Sequence, residues 1–309
     1  MTREVKRERI GVLIAVLSST FGGTAAAVTR YSIGVVDPVT LAAFRFGIGF
    51  IVLLPLALLW RSAFPRGRDR IGASLLGILF FGMFFVVYNI ALGYTTAANG
   101  ALALSTLPLW TMTVAALLGA EALTARKTLG VFIAVGGVAV ALLAGLASAP
   151  QGAWRGDLLM VGATLCMAFY NVWSRPFIAR SSPLGFVTTS MGAGAICLVA
   201  VAAASGGFAV TRSFDAAQWT AVIYLGVFGG AAAFFLWVLA LQMTTPTRVA
   251  NTMTVNPIAA SLLAALIVSE PIGWNLVVGL AAVGCGIWIA STSAGEAKKE
   301  QGQSPARMS

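Results

Sequence analysis

Arg45 is the one ionisable side chain that falls well inside an apolar run of this 309-residue chain. A charge there is expensive in lipid, so it either marks function or faces a polar cavity, or else it lies about two turns from the outer surface and snorkels or binds carbonyls. Two prolines carry the next chemical signal. Pro108 and Pro257 lack an amide hydrogen, so each would release a carbonyl four residues earlier, at Leu104 and Met253. A carboxylate, Glu121 or Glu270, follows each proline after thirteen residues, and the whole arrangement recurs at an offset of 149. Helices broken at mid-membrane expose backbone to a solute and act as hinges, the role expected of Pro108 and Pro257.

Polar and aromatic side chains around these prolines form the candidate binding set. Thr20, Thr24, Tyr170 and Trp173 come from the first and sixth apolar runs, and Tyr88 and Trp237, themselves 149 apart, from the third and eighth. Asn99, Ser105, Trp110, Asn251 and Asn256 come from the fourth and ninth. At the same offset Trp110 stands opposite Ala259 and Asn256 opposite Leu107. Such departures from symmetry are where an asymmetric solute would be read.

No catalytic constellation accompanies the set. The chain has no histidine, and Asp37, Asp157, Asp215, Glu121 and Glu270 all fall at the ends of apolar runs. Cys166, Cys197 and Cys285 lie inside such runs, where packing is the default role and a metal site is not expected. The expectation is a near-neutral site for a zwitterionic or uncharged small solute, with no enzyme chemistry, no cofactor, no metal and no proton relay.

The elements that must hold these residues follow from composition. With 59% hydrophobic and 10% charged residues and a mean hydropathy of +0.90, the chain has too little polar surface for water. Apolar runs of about twenty residues match a ~30 Å hydrocarbon core. Ten are expected near 10–30, 39–60, 71–93, 97–119, 127–147, 155–175, 184–205, 217–241, 247–268 and 273–292.

The net charge of +10 invites a nucleic-acid partner, but its placement argues otherwise. With both termini in the cytoplasm, only Arg30, Arg155 and Arg212 lie outside, Arg45 lies within a span, and the other sixteen basic residues lie inside. That is the positive-inside bias. Membrane lipid and a small solute are the expected partners, and nucleic acid is not.

The repeat extends beyond the prolines. At 149, Phe85, Thr95 and Thr96 meet Phe234, Thr244 and Thr245; at 145, Gly11, Pro38 and Gly49 meet Gly156, Pro183 and Gly194. Five spans per copy is an odd number, so the second copy enters the membrane from the opposite side. The fold class expected is therefore an all-α polytopic membrane protein of ten transmembrane helices in two inverted five-helix repeats, residues 1–149 and 150–293. The polar tail 294–309 is expected to be disordered. The start MTREVKRERI followed by an apolar run looks like a signal peptide, but the repeat needs residues 10–30 as the partner of 155–175, which argues against cleavage.

The pattern of a proline, thirteen residues to an acid, then a glycine-rich helix occurs as Pro108…Glu121…GVFIAVGGVAV and Pro257…Glu270…GLAAVGCGIWIA. With the PVTLAAFRF segment, it resembles the drug/metabolite transporter superfamily, in its ten-helix form with two EamA-like repeats. The resemblance covers about residues 10 to 292 and is greatest to the aromatic amino-acid exporter branch. It implies a bacterial inner-membrane exporter of amino acids, aromatic or hydrophobic, working by alternating access. Efflux of other hydrophobic metabolites or drugs, with or without proton coupling, stays open beside it. Small residues cluster in the fifth and tenth runs, which leaves both a monomer and a homodimer open.

Overall fold

The structure is a computed structural model that describes residues 3–96, 103–120 and 152–267, with isolated positions elsewhere up to residue 285. The described residues contain helix and no strand. In chain order the helices are α1 (Arg3–Ser32), α2 (Pro38–Leu59), α3 (Arg68–Tyr94), α4 (Leu107–Leu117), α5 (Ala153–Arg180), α6 (Pro183–Ala204), α7 (Ala216–Met243) and α8 (Pro246–Ile267). All except the shorter α4 are long and apolar enough to cross a membrane. The spans expected near 127–147 and 273–292 fall largely outside the described residues. Asn99, Glu121, Glu270 and the tail 294–309 fall wholly outside them.

Short polar signals start the helices. Asp37 Oδ1 accepts the amides of Val39 and Thr40 at 3.1 and 3.0 Å, Ser182 Oγ that of Gly185 at 3.0 Å, and Thr245 Oγ1 that of Arg248 at 3.4 Å. Each of these caps is followed by proline, whose missing amide costs nothing in a first turn. Asp215 and Gln218 start α7 with a reciprocal capping box.

Three helices are irregular within the bundle. Ile78–Phe84 in α3 and Leu225–Ala232 in α7 are π-helical, and Thr252–Thr254 in α8 is a tight 3₁₀ turn. A turn at Ser105–Thr106 likewise precedes α4. Pro108 and Pro257 consequently stand in the first turn of a helix that restarts after a break, not in the middle of a continuous kinked one. The break removes the hydrogen bond that a mid-helix proline would otherwise have lost.

Packing recurs at the two offsets seen in the sequence. A Cβ on Gly11 would meet Met243 and Thr244, and one on Gly156 would meet Tyr94 and Thr95. A Cβ on Gly49 would lie 3.3 Å from the Gly226 carbonyl and 3.2 Å from the Ala231 amide nitrogen; one on Gly194 would lie 2.8 Å from the Gly77 carbonyl and 3.3 Å from the Gly82 nitrogen. Correspondingly, α1 packs on α7 and α8 while α5 packs on α3 and α4, and α2 packs on α6. Small residues permit these approaches where lipid offers no hydrophobic drive between helices.

The main core cluster is centred on rings, Phe46, Phe80, Phe81, Phe84, Phe85, Tyr170 and Phe234, and a smaller one joins Ala25, Val28 and Leu41 to Val222 and Leu225. The periphery is apolar as well, with Ile51, Leu59, Ile196 and Leu266 all more than two-thirds exposed. Hydrocarbon solvates such a surface; water does not. Polar links tie helix ends together: Arg180 pairs with Asp69 at 2.7 Å and Arg248 with Glu8 at 2.8 Å, and at the other ends of α3 and α5 the Thr95 hydroxyl donates to Asp157 at 2.9 Å.

Candidate functional site

A cavity lies between the helices, with about 40 Å³ of open space and fifteen lining residues. One water needs ~10–15 Å³, so it holds a few waters and falls far short of the ~300–1,000 Å³ of a formed ligand pocket. The helices must part before a metabolite enters.

Ten of the fifteen lining residues form five pairs at the sequence offsets. Phe84 and Ala233, Phe85 and Phe234, Tyr88 and Trp237, and Leu104 and Met253 are 149 apart, and Gly22 and Met167 are 145 apart. Leu104 and Met253 are the residues four before the two prolines, so both helix breaks open onto the cavity. The other five, Ser18, Ser19, Arg45, Phe80 and Asn256, have no counterpart in the lining. The paired residues are mostly apolar or aromatic. Four of the five unpaired ones are polar, so polarity is concentrated where the symmetry fails.

Each unpaired polar residue is placed by its own helix. Ser18 Oγ donates to the Ala233 carbonyl at 2.7 Å, and Ser19 Oγ lies 2.9 Å from Thr252 Oγ1, tying α1 to α7 just past its π-helical segment and to the 3₁₀ turn of α8. Asn256 immediately precedes Pro257; its Nδ2 lies 3.6 Å from Met253 Sδ and its Oδ1 has no hydrogen-bond partner among the described residues. Arg45, 4% exposed, donates from Nε and Nη2 to the Gly229 carbonyl at 3.1 and 2.8 Å. Its guanidinium lies over the Phe85 ring, 4.7 Å from the centroid, with Phe46 and Phe234 within 6.0 Å. Gly229 belongs to the π-helical segment of α7, a type of irregularity frequent at functional sites. Arg45 is therefore not snorkelling to a surface.

The candidates from the sequence separate into groups. Arg45, Tyr88, Trp237 and Asn256 come together in the cavity. Tyr170 is fully buried behind it, stacked on Phe80 at 4.3 Å. Asn171, next to Tyr170, accepts the Trp237 Nε1 hydrogen at 2.8 Å and so fixes that ring. Ser105 and Pro108 lie buried at one helix break, Asn251 and Pro257 at the other, outside the lining itself. Trp110 is half-buried, packed against the core cluster.

Thr20, Thr24 and Trp173 sit elsewhere. Thr20 donates to the Val16 carbonyl of its own helix, and the Thr24 hydroxyl is 2.6 Å from the Tyr224 hydroxyl. Trp173 is 45% exposed and packs only on the Phe169 ring among its aromatic neighbours. In α1 the cavity face carries Ser18, Ser19 and Gly22, so reading polarity alone picked threonines one or two positions off that face. Ser18 and Gly22, four apart, were the available signal. Phe80 and Phe84 were missed because their neighbours in sequence are equally aromatic.

Residues 9–143 and 154–292 each match the EamA-like transporter family. The chain belongs to the EamA-like transporter family. It is a multi-pass membrane protein that transports small solutes. A relative, the uncharacterized transporter YyaM of Bacillus subtilis (strain 168), is 25% identical over 278 residues, covering 88% of this chain and 90% of its own length. The uncharacterized inner membrane transporter YedA of Escherichia coli (strain K12) is 25% identical over 227 residues, covering 73% of this chain and 72% of its own. One solved crystal structure has a TM-score of 0.71 at 21% identity, covering 92% of this chain and 96% of that one; the likeness is one of fold.

Proposed function

We propose that this EamA-family protein exports amino acids with aromatic or hydrophobic side chains, and related small metabolites, across the bacterial inner membrane by alternating access. In this reading the chain comprises two inverted five-helix halves, residues 1–149 and 150–293, with both termini cytoplasmic. The observation that carries it is the cavity built from five residue pairs at the offsets 145 and 149, with a helix break in each half opening onto it. Two similar halves around one midplane site can open to either side in turn. An aromatic wall of Phe84, Phe85, Tyr88, Phe234 and Trp237, with Ser18, Ser19, Arg45 and Asn256 in the same lining, suits an amphiphilic solute. Its described lining contains no Asp, Glu or His, which favours facilitated diffusion over proton coupling.

The test is uptake of labelled phenylalanine, tyrosine, tryptophan and methionine into liposomes holding the purified protein, with and without an imposed pH gradient. Saturable uptake that ignores the gradient is expected. Accumulation driven by the gradient would refute the uncoupled mechanism. Absence of uptake of all four, by protein shown to be folded, would replace amino acids with other hydrophobic metabolites or drugs as the substrate class.

A further inference from the structure

We infer that Arg45 is an anion subsite of the cavity that takes the carboxylate of the transported solute, with Asn256 accepting that solute's ammonium or hydroxyl hydrogen. The inference rests on the reading above that the cavity carries amphiphilic solutes, and it names the chemical group that such a solute must bear.

Of the five N–H hydrogens of a guanidinium, the Gly229 carbonyl takes one from Nε and one from Nη2. The two on Nη1 and the second on Nη2 remain, and Nη1 has no hydrogen-bond partner among the described residues. The Nη1–Nη2 end is the second of the two edges on which a guanidinium can hold a carboxylate through two parallel hydrogen bonds; Gly229 takes the Nε–Nη2 edge. No carboxylate pairs with Arg45 among the described residues; the titratable groups that face it are Tyr88 and Tyr224. A carbonyl dipole and the surrounding rings soften the charge but do not neutralise it. An almost fully buried cation of this kind would be stabilised further by an anion, and Arg45 borders the cavity.

Arg45 could instead be a structural pin holding α2 to α7, but the molecule contains its own control. The equivalent contact of α6 with α3 brings Gly194 against the Gly77 carbonyl and the Gly82 nitrogen, as Gly49 meets Gly226 and Ala231. The residue there at Arg45's offset is Ser190, whose hydroxyl turns back to the Phe186 carbonyl of its own helix at 3.0 Å. The same packing therefore forms without a cation. At Gly229's offset stands Phe80, so the absence of a side chain at Gly229 is special to the half that holds Arg45; a Cβ there would come 2.7 Å from Ala25 Cβ and 3.4 Å from Arg45 Nη2, so the glycine serves the packing of α1 as well as the approach of the guanidinium. Asn256 supplies the complementary acceptor through its unpartnered Oδ1 in the same lining. Cation, acceptor and aromatic wall together describe a carboxylate on an aromatic or bulky apolar body, with a hydrogen donor near the acid.

The experiment measures ligand-induced thermal stabilisation of the full chain in detergent with three probes. These are 3-phenylpropionate (acid without amine), L-phenylalanine (both) and phenethylamine (amine without acid). Both acids should stabilise the protein, and phenethylamine should need at least about tenfold more for an equal shift. Arg45→Gln should weaken both acids by about 10- to 100-fold, the worth of a charge-assisted hydrogen bond. Arg45→Lys, which keeps the charge without the fork, should weaken them less.

Phenethylamine binding as tightly as phenylalanine would overturn the subsite, and so would unchanged acid binding in Arg45→Gln. Because the probe comparison uses the unaltered protein, it decides the question even where a variant fails to fold. Binding of 3-phenylpropionate but not of phenylalanine would leave the subsite standing and remove amino acids as substrates. Binding of neither acid would overturn the subsite, while the liposome uptake judges the transport reading separately.

Discussion

Gly49 and Gly194 occupy matching positions, yet a methyl group added to each should have unequal effects. At Gly194 the new Cβ would sit 2.7 Å from Phe81 Cβ and 2.8 Å from the Gly77 carbonyl oxygen. Both atoms are fixed by α3, so the helices must separate by roughly 0.6 Å to restore an ordinary contact. At Gly49 the shortest contact, 2.9 Å, is with Met191 Sδ, a flexible group, and the backbone atoms are already at 3.2 and 3.3 Å. Overpacking costs about 1–3 kcal/mol, and replacing a helical glycine by alanine returns about 0.5–1 kcal/mol. Gly194→Ala should therefore lose about 0.5–2 kcal/mol, while Gly49→Ala should stay near neutral. At about 2–4 °C per kcal/mol, the melting temperature should fall by about 1–8 °C in the first and by under about 2 °C in the second. Thermal scans of detergent-purified protein by tryptophan fluorescence would measure this. Gly82→Ala, whose Cβ meets nothing nearer than 3.9 Å, is the control. A loss in Gly49→Ala as large as in Gly194→Ala would refute the packing argument.

Two further outcomes follow from the cavity. Trp237→Phe should destabilise the protein by about 1–3 kcal/mol, because it strands the buried Asn171 amide; adding Asn171→Leu should recover part of that loss, and a further drop in melting temperature would refute the pairing. Met253→Cys, with Cys166, Cys197 and Cys285 first replaced by serine, should react slowly with a membrane-impermeant thiol reagent, since Met253 is 5% exposed in a cavity too small for a metabolite. Saturating phenylalanine should change that rate as the site is exposed in turn, and a rate independent of every transported solute would contradict alternating access.

Membrane spanning, the positions of the described helices and the two offsets were legible in the sequence by itself. Their physical causes are local or periodic: a ~30 Å hydrocarbon core demands runs of about twenty apolar residues, and capping residues followed by proline start a helix wherever they stand. The importance of Arg45 was legible too, because a lone charge in an apolar run is conspicuous. Its partner was not. The Gly229 carbonyl lies 184 residues away and is presented by a π-helical segment, which leaves no mark on composition or periodicity. Likewise, the sequence shows α1 to be rich in Ser and Thr, but the packing of α1 against α7 and α8 decides that Ser18 and Ser19 border the cavity while Thr20 and Thr24 bond elsewhere. Both sets are equally polar. A rotation of one residue, about 100° on a helix, separates them, and only contacts between distant helices set that angle.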